Sequence, residues 1–363
     1  MCAAPHASPA GKYFVRAVLL GMALLCTTAI AQHAPPAVNA DGGVSTPVAT
    51  IPFSSFASPQ ARAFFPQMIA AGSKAPPLSA PIAQSRDFYD RLNSARAARM
   101  EKLYPVTTHR ETIGGVGADV VLPAQGIASR NRRRVLINLH GGAFLWGAHS
   151  GALVESIPVA SLGRIKVVSV DYRQGPEHVF PAASEDVEAV YRALLKQYPA
   201  NNIGIYGCSA GGVLTGEAVA RIITAKLPAP GAIGTFCGSI SEMGGDSTYT
   251  APLLDGERPS TRPLKLADLP YFKGASDSDP LVFPANSPAL LKKFPPTLLI
   301  TGTRDFTMSA VLHSHALLVA AGVDAELRVW DGMWHSFFSD PDMPESREAY
   351  AAMVSFFERK LGR

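Results

Sequence analysis

At 363 residues, 47% apolar and 17% charged, the chain has ample material for a core and is long enough for one large domain or two ordinary ones. The formal net charge is +4, of which Lys12 and Arg16 supply +2, so the remainder carries about +2 and gives no ground for a nucleic-acid partner. Of the four cysteines only Cys208 and Cys237 lie beyond residue 31, and two cysteines in a chain this long make no disulfide framework.

The N-terminal stretch has a basic region at Lys12 and Arg16, then an uncharged apolar run over 17–30. Ala29-Ile30-Ala31 places small residues at the −3 and −1 positions of a cleavage site. The pattern reads as a signal peptide over 1–31, so export to the periplasm or the medium is expected, with cleavage near Ala31. An apolar run of about 14 residues falls short of the ~20 that span a bilayer, so stable membrane insertion is not expected; an uncleaved anchor is the alternative. Cleavage would remove Cys2 and Cys26 and leave Cys208 and Cys237, each near the end of a predicted strand. Two small buried thiols are the plainer reading, with a disulfide between them left open. Residues 32–60, rich in Pro, Ala, Ser and Gly, read as a linker or loosely wrapped arm. Residues 61–104 read as mostly helical, with Phe64, Phe65, Met68 and Ile69, then Phe88, Leu92, Ala95 and Met100 at helical spacing. Pro66, Pro76 and Pro77 are expected to interrupt them.

From about residue 106 the pattern changes. Segments 107–113 and 118–122 alternate as a hairpin across Gly114-Gly115. The run Arg130-Asn131-Arg132-Arg133-Arg134 precedes the next strand and reads as a solvated turn. Short, wholly apolar runs follow at 135–139, 165–170, 203–206, 232–236, 297–300 and 325–329. Helical stretches lie between or after them at about 182–197, 210–225, 308–321 and 345–360. Apolar strands alternating with helices imply a doubly wound α/β fold with a parallel sheet covered on both faces. Residues 245–290 break the rhythm with Gly, Pro, Ser and Asp. An insertion there would lie over the carboxyl ends of the strands, where such sheets bind ligands.

Gly207-Cys208-Ser209-Ala210-Gly211 fits G-x-S-x-G and lies between the predicted strand at 203–206 and the helix from about 210. Small residues there permit a sharp turn that lifts a serine hydroxyl above the sheet, and the helix N-terminus behind it favours developing negative charge. A serine hydroxyl is a poor nucleophile; it needs a base, and the base needs an orienting acid. In such strand–turn–helix sites these follow in the order Ser, Asp or Glu, His, on loops after strands. Asp305 in Gly302-Thr303-Arg304-Asp305 and His335 in Gly332-Met333-Trp334-His335 occupy those loops. His313 and His315 on a predicted helix, His178 in a turn, Asp279 in the insertion and Asp331 before the histidine loop compete for the roles. Donors for a tetrahedral oxyanion are also needed, and His140-Gly141-Gly142-Ala143 follows the strand 135–139. The backbone N–H groups of Gly141, Gly142 and Ala210 are the expected donors. The chain has no G-x-G-x-x-G, no P-loop and no H-E-x-x-H, so neither a dinucleotide cofactor nor a metal is expected.

Three motifs together resemble the hormone-sensitive-lipase-like esterases of bacterial family IV, over about residues 100–360. They are His140-Gly141-Gly142, Gly207-x-Ser209-Ala210-Gly211-Gly212, and the long run Asp171-Tyr172-Arg173-x-x-Pro176-Glu177-His178-x-Phe180-Pro181-Ala182-Ala183-x-Glu185-Asp186. The resemblance implies an α/β-hydrolase fold: a mostly parallel eight-stranded sheet, helices on both faces and a helical cap. Residues 61–363 would form that domain, with cap elements at about 61–104 and 245–290. It also implies a serine carboxylesterase that hydrolyses short- to medium-chain acyl esters through an acyl-enzyme, without a cofactor. Its partner would be a small-molecule ester; relatives often dimerise, which leaves a homodimer open. The long run would buttress the oxyanion loop and start the following helix.

The chain departs from the family pattern at three places. Ala143 stands for a third glycine, Cys208 for the frequent Asp before the nucleophile, and Asp305-Phe306-Thr307-Met308 for the usual Asp-Pro-Leu run. The second change removes a carboxylate that usually supports the oxyanion loop. Relatives with similar acid and histidine loops resemble lactone hydrolases, so a lactone or amide hydrolase on the same triad stays open. A catalytically silent binding module is the alternative of another class, against which the intact Ser209, Asp305 and His335 speak. Phe144, Trp146 and the stripe Phe64-Phe65-Met68 are candidates for an acyl pocket, the stripe equally for plain cap core.

Overall fold

In the computed structural model, residues 37–38, 44–45, 51–256, 262 and 265–362 are described. The signal-peptide reading of 1–31 and most of the proposed arm lie outside the described residues. The chain divides into two compact units, Met1–Pro52 and Phe53–Arg363. In the first, Ala37–Val38 pairs antiparallel with Val44–Ser45. The second carries every catalytic motif.

The strands of the second unit are β1 Val106–Ile113, β2 Val116–Pro123, β3 Val135–Leu139, β4 Lys166–Val170, β5 Ile203–Cys208, β6 Ala232–Phe236, β7 Thr297–Arg304 and β8 Ala325–Trp334. They form one eight-stranded sheet in the order β8-β7-β6-β5-β3-β4-β2-β1. β1 and β2 are the expected hairpin, turning through Gly114 and Gly115 at φ +62° and +87°; a two-residue turn of this kind needs left-handed backbone at both positions. β2 also runs antiparallel to β4, and the remaining pairs are parallel.

The wholly apolar strands serve two cores, because successive side chains point to opposite faces. Val135, Ile137 and Leu139 of β3 join Ile203 and Ile205 of β5 on one face. Leu136, Tyr206 and Cys208 lie on the other. Helices α4 (Ala182–Leu194) and α5 (Ala210–Thr224) pack together on the first face, which also holds α8 (Met308–Ala320). Helices α3 (Ser150–Gly163) and α9 (Pro344–Lys360) pack together on the second. Among the described residues no helix is long and apolar enough to cross a membrane.

The structure departs from the sequence reading in four places. α3 was not expected: it is buried on nearly every side and contains Pro158, so it has neither a helical period nor a clean boundary. Pro66 does not interrupt its segment; it lies inside α1 (Pro59–Gly72), and α2 follows at Ile82–Leu103. Part of the expected arm, residues 53–60, belongs to the compact body. Ser58 caps α1 by accepting the Ala61 N–H at 3.0 Å, while its own N–H and hydroxyl donate to Glu345 at 2.7 and 2.9 Å. Finally, β5, β7 and β8 run past their apolar stretches. The irregular insertion contains α6 (Ser247–Leu254) and short 3-10 turns at Leu266–Asp268, Pro270–Phe272 and Pro284–Asn286, and α7 (Pro288–Leu291) begins at its end.

Candidate active site

β5 ends at Cys208 and α5 begins at Ala210, so Ser209 makes the whole turn, at φ 57° and ψ −122°. Left-handed backbone is costly for a residue with a side chain and is held here by close packing. A Cβ on Gly207 would stand 2.1 Å from the Leu139 carbonyl oxygen, and one on Gly211 1.7 Å from the same atom. The glycines of the motif therefore let the nucleophile turn press against the end of β3.

His335 follows β8 and Asp305 follows β7, on parallel strands that pair directly. His335 Nε2 lies 2.9 Å from Ser209 Oγ, and its Nδ1 lies 2.8 Å from Asp305 Oδ1. Asp305 is wholly buried. Its Oδ1 also accepts the Thr307 N–H at 2.9 Å and hydroxyl at 2.8 Å, and its Oδ2 accepts the Thr301 hydroxyl at 3.0 Å. Burial pushes this carboxyl up, but His335 and the Thr307 donors together outweigh burial and hold it below the usual carboxylate range. It stays ionised beside the imidazole. Of the competitors, Asp331 accepts the Thr303 hydroxyl at 3.1 Å and Asp279 the Leu281 N–H at 2.8 Å. His313 and His315 lie on α8. Among the described residues none of these, nor His178, bonds to Ser209.

The oxyanion loop corrects one expectation. The Gly141 N–H donates to Glu155 Oε1 at 2.7 Å and is not available to substrate. Beside Ser209, the backbone N–H groups of Gly142, Ala143 and Ala210 have no protein partner among the described residues. Gly142 and Ala143 turn through φ 122° and 53° to present this loop, and a Cβ on Gly142 would stand 2.0 Å from the Trp146 carbonyl oxygen.

Glu155, on α3, is the functional residue that the sequence concealed. Its Oε2 accepts the Asn138 amide at 3.1 Å and the Cys208 N–H at 3.2 Å. One carboxylate thus ties the end of β3, the oxyanion loop and the nucleophile turn together. Cys208 offers none, and Glu155 fills that place from a distant helix. Burial pushes the Glu155 carboxyl up to about 7, against the pull of the three donors.

The long motif supports the same loop. The Tyr172 hydroxyl donates to the His140 carbonyl at 2.7 Å, and the two rings stack 4.3 Å apart. The Gly175 N–H donates to the Phe144 carbonyl at 2.8 Å. Arg173 pairs with Asp186 at the start of α4, and Arg86 of α2 pairs with Glu177. Burial lowers His140 to about 4, so its imidazole is neutral. Cys208 and Cys237 are free and buried, and burial pushes the Cys208 thiol well up, so it is no nucleophile. Among the described residues the one group with cation-ligand spacing is Cys237, Asp305 and His335, whose Asp and His atoms already bond to each other.

Ser209 stands between two unlike cavities. One, of about 190 Å³, is walled by Phe144, Val213, Met243, Leu266, Leu269 and Phe306 and is mostly apolar. The other, of about 310 Å³, is walled by Tyr89, Asn93, Arg96, Glu155, His335 and Ser339 and is more polar. Trp146, stacked on Tyr89 at 4.4 Å, borders both. Phe64 and Phe65 pack on Trp334 at 6.0 and 5.5 Å, so much of that stripe packs against the core of the second face, although Phe64 and Met68 also border a small recess beside His335.

A family model described as the alpha/beta hydrolase fold matches residues 136–339. An acetyl-hydrolase of Streptomyces hygroscopicus is 30% identical over 263 residues, which cover 69% of this chain and 82% of that protein. An esterase of Mycobacterium tuberculosis is 32% identical over 231 residues, covering 61% of this chain and 74% of its own length. The crystal structure of an esterase from the bacterial hormone-sensitive lipase family superposes with a TM-score of 0.73 at 27% identity, covering 84% of this chain and 99% of that one. The chain therefore belongs to the α/β-hydrolase fold family and, within it, to the esterases of the hormone-sensitive lipase type.

Proposed function

We propose that this enzyme is a serine carboxylesterase that works through an acyl-enzyme on Ser209. The observation that carries the reading is the unbroken relay Ser209 Oγ, His335, Asp305 at 2.9 and 2.8 Å, beside backbone N–H groups without protein partners. His335 Nε2 takes the proton of Ser209 Oγ as that oxygen attacks the ester carbonyl. Asp305 fixes the tautomer with the proton on Nδ1 and stabilises the imidazolium that forms. The carbonyl oxygen gains charge between Gly142, Ala143 and Ala210, with the N-terminus of α5 behind it. His335 then protonates the leaving alcohol, and a water activated by the same imidazole releases the acid.

The small volume of the apolar cavity supports short- to medium-chain acyl groups. The N-terminal sequence pattern supports export. Hydrolysis of p-nitrophenyl esters from acetate to palmitate, with Ser209→Ala alongside, tests the proposal. A short-chain optimum is expected, with a loss of at least about 10⁴-fold in the folded variant. Normal turnover by Ser209→Ala overturns the mechanism, and turnover of lactones or amides alone overturns the ester assignment.

A further inference from the structure

The polar cavity beside His335 has a cation in its wall. Arg96 projects from α2 and borders both the 310 Å³ cavity that holds Ser209 and His335 and the recess of about 90 Å³ that adjoins it. Among the described residues, three arginine side chains have no hydrogen bond and no ion pair within 4 Å. Two, Arg132 and Arg133, are exposed; the third, Arg96, is not. The charge that acts on it most is that of Asp340, which borders the same 90 Å³ recess but lies beyond ion-pair distance, and whose carboxylate accepts the Asp342 N–H at 3.0 Å. Burial lowers the Arg96 guanidinium from its ordinary value, a sign of incomplete solvation, yet leaves it charged.

A half-buried guanidinium that makes no hydrogen bond or close ion pair among the described residues is costly, and a ligand that completed the pairing would offset that cost. Asn93, one turn earlier on α2, and Ser339 border the same cavity and also make no side-chain hydrogen bond among the described residues. Arg96, Asn93 and Ser339 thus offer donors around one space. The one acid in this wall, Glu155, turns both carboxylate oxygens to the Gly141, Asn138 and Cys208 donors.

We infer that the preferred substrate carries a carboxylate on its alcohol portion and that Arg96 binds it. The inference rests on the esterase reading and deepens it. A planar carboxylate matches the guanidinium fork with two parallel hydrogen bonds. The side follows from His335, which must protonate the leaving oxygen. His335 borders the Arg96 cavity and not the apolar one. The acyl chain then lies among Val213, Leu266 and Leu269, and the alcohol leaves past Arg96.

The test compares kcat/KM for 4-carboxyphenyl butyrate with that for the uncharged 4-carbamoylphenyl butyrate. p-Nitrophenyl butyrate serves as the general esterase control, and the p-nitrophenyl monoester of succinate as the probe with its charge on the acyl side. The carboxyphenyl ester is expected to be favoured by about tenfold or more, the size of a charge-assisted pair, and the preference should shrink as salt is raised. Arg96→Gln is expected to remove the preference and Arg96→Lys to keep part of it, each read as a ratio within one protein. Equal kcat/KM for the two phenyl esters in the wild type, with p-nitrophenyl butyrate turned over, overturns the inference while sparing the esterase reading. A preference for the succinate monoester over the butyrate overturns the assignment to the alcohol side. No turnover on any ester overturns the esterase reading and this inference with it.

Discussion

Asp305 and His335 stand at the ends of neighbouring parallel strands, and the donors that fix Asp305 lie within four residues of it, at Thr301 and Thr307. The oxyanion loop opposite has local bonds as well, from the Leu145 and Trp146 N–H groups to the Gly142 carbonyl at 2.8 and 3.1 Å, but its remaining anchors come from further away. Its Gly141 is held by Glu155 on α3 and its His140 by Tyr172 beyond β4, both side chains brought in from other elements. The sheet itself sets His335 and Asp305, whereas titratable and aromatic side chains from other elements hold the proposed oxyanion loop. The two halves should therefore fail in different ways.

Asp305→Asn is the sharpest break on the strand-anchored half. An amide there cannot hold the proton of His335 on Nδ1 or stabilise the imidazolium, so kcat is expected to fall by about 10⁴ with little change in KM. Steady-state hydrolysis of p-nitrophenyl butyrate reads this directly. A loss of less than tenfold would mean that another acid orients His335.

Glu155→Gln probes the other half and should cost less, about 10- to 100-fold in kcat, because it loosens the oxyanion donors without deleting one. All three groups that face this carboxylate are donors, and the amide NH₂ of glutamine would meet one of them badly. The variant also carries a pH signature. The folded chain holds the Glu155 proton up to about pH 7, while an unperturbed glutamate releases it near 4.5. The native state binds more protons between those values, so this group makes stability fall as pH rises through that window. Thermal melts at pH 5 and pH 8 should show that slope in the wild type and a weaker one in Glu155→Gln. Equal slopes would place the Glu155 pKa near its ordinary value.

The same division decides what the sequence revealed. Ser209, Asp305 and His335 each follow a short apolar strand and lie in a contiguous motif, so chain order alone pointed to them. Gly141 looked like a donor because its motif says nothing of which carboxylate claims its N–H. That depends on Glu155, 14 residues away on a helix whose burial on nearly every side erased its period. The missing carboxylate at position 208 was visible, but its replacement could be found only in three dimensions. The first helix shows the same limit: Phe64 and Phe65 fit a pocket or a core equally well by spacing, and the contact with Trp334 distinguishes them.

The smallest expected effect concerns the apolar cavity, and it asks whether acyl length is set apart from the chemistry. Val213 lies one turn into α5 behind Ser209, 3% exposed, and faces this cavity of about 190 Å³. Val213→Phe would occupy much of that space while replacing neither a triad residue nor Glu155. Each methylene kept out of an apolar site forfeits about 0.8 kcal/mol. Butyrate has two more methylenes than acetate, so the butyrate-to-acetate ratio of kcat/KM is expected to drop by about tenfold, with acetate turnover changed far less. An equal loss on both esters would show that the substitution displaces the nucleophile turn instead. The acyl wall and the catalytic geometry would then be one packed unit, because α5 carries both.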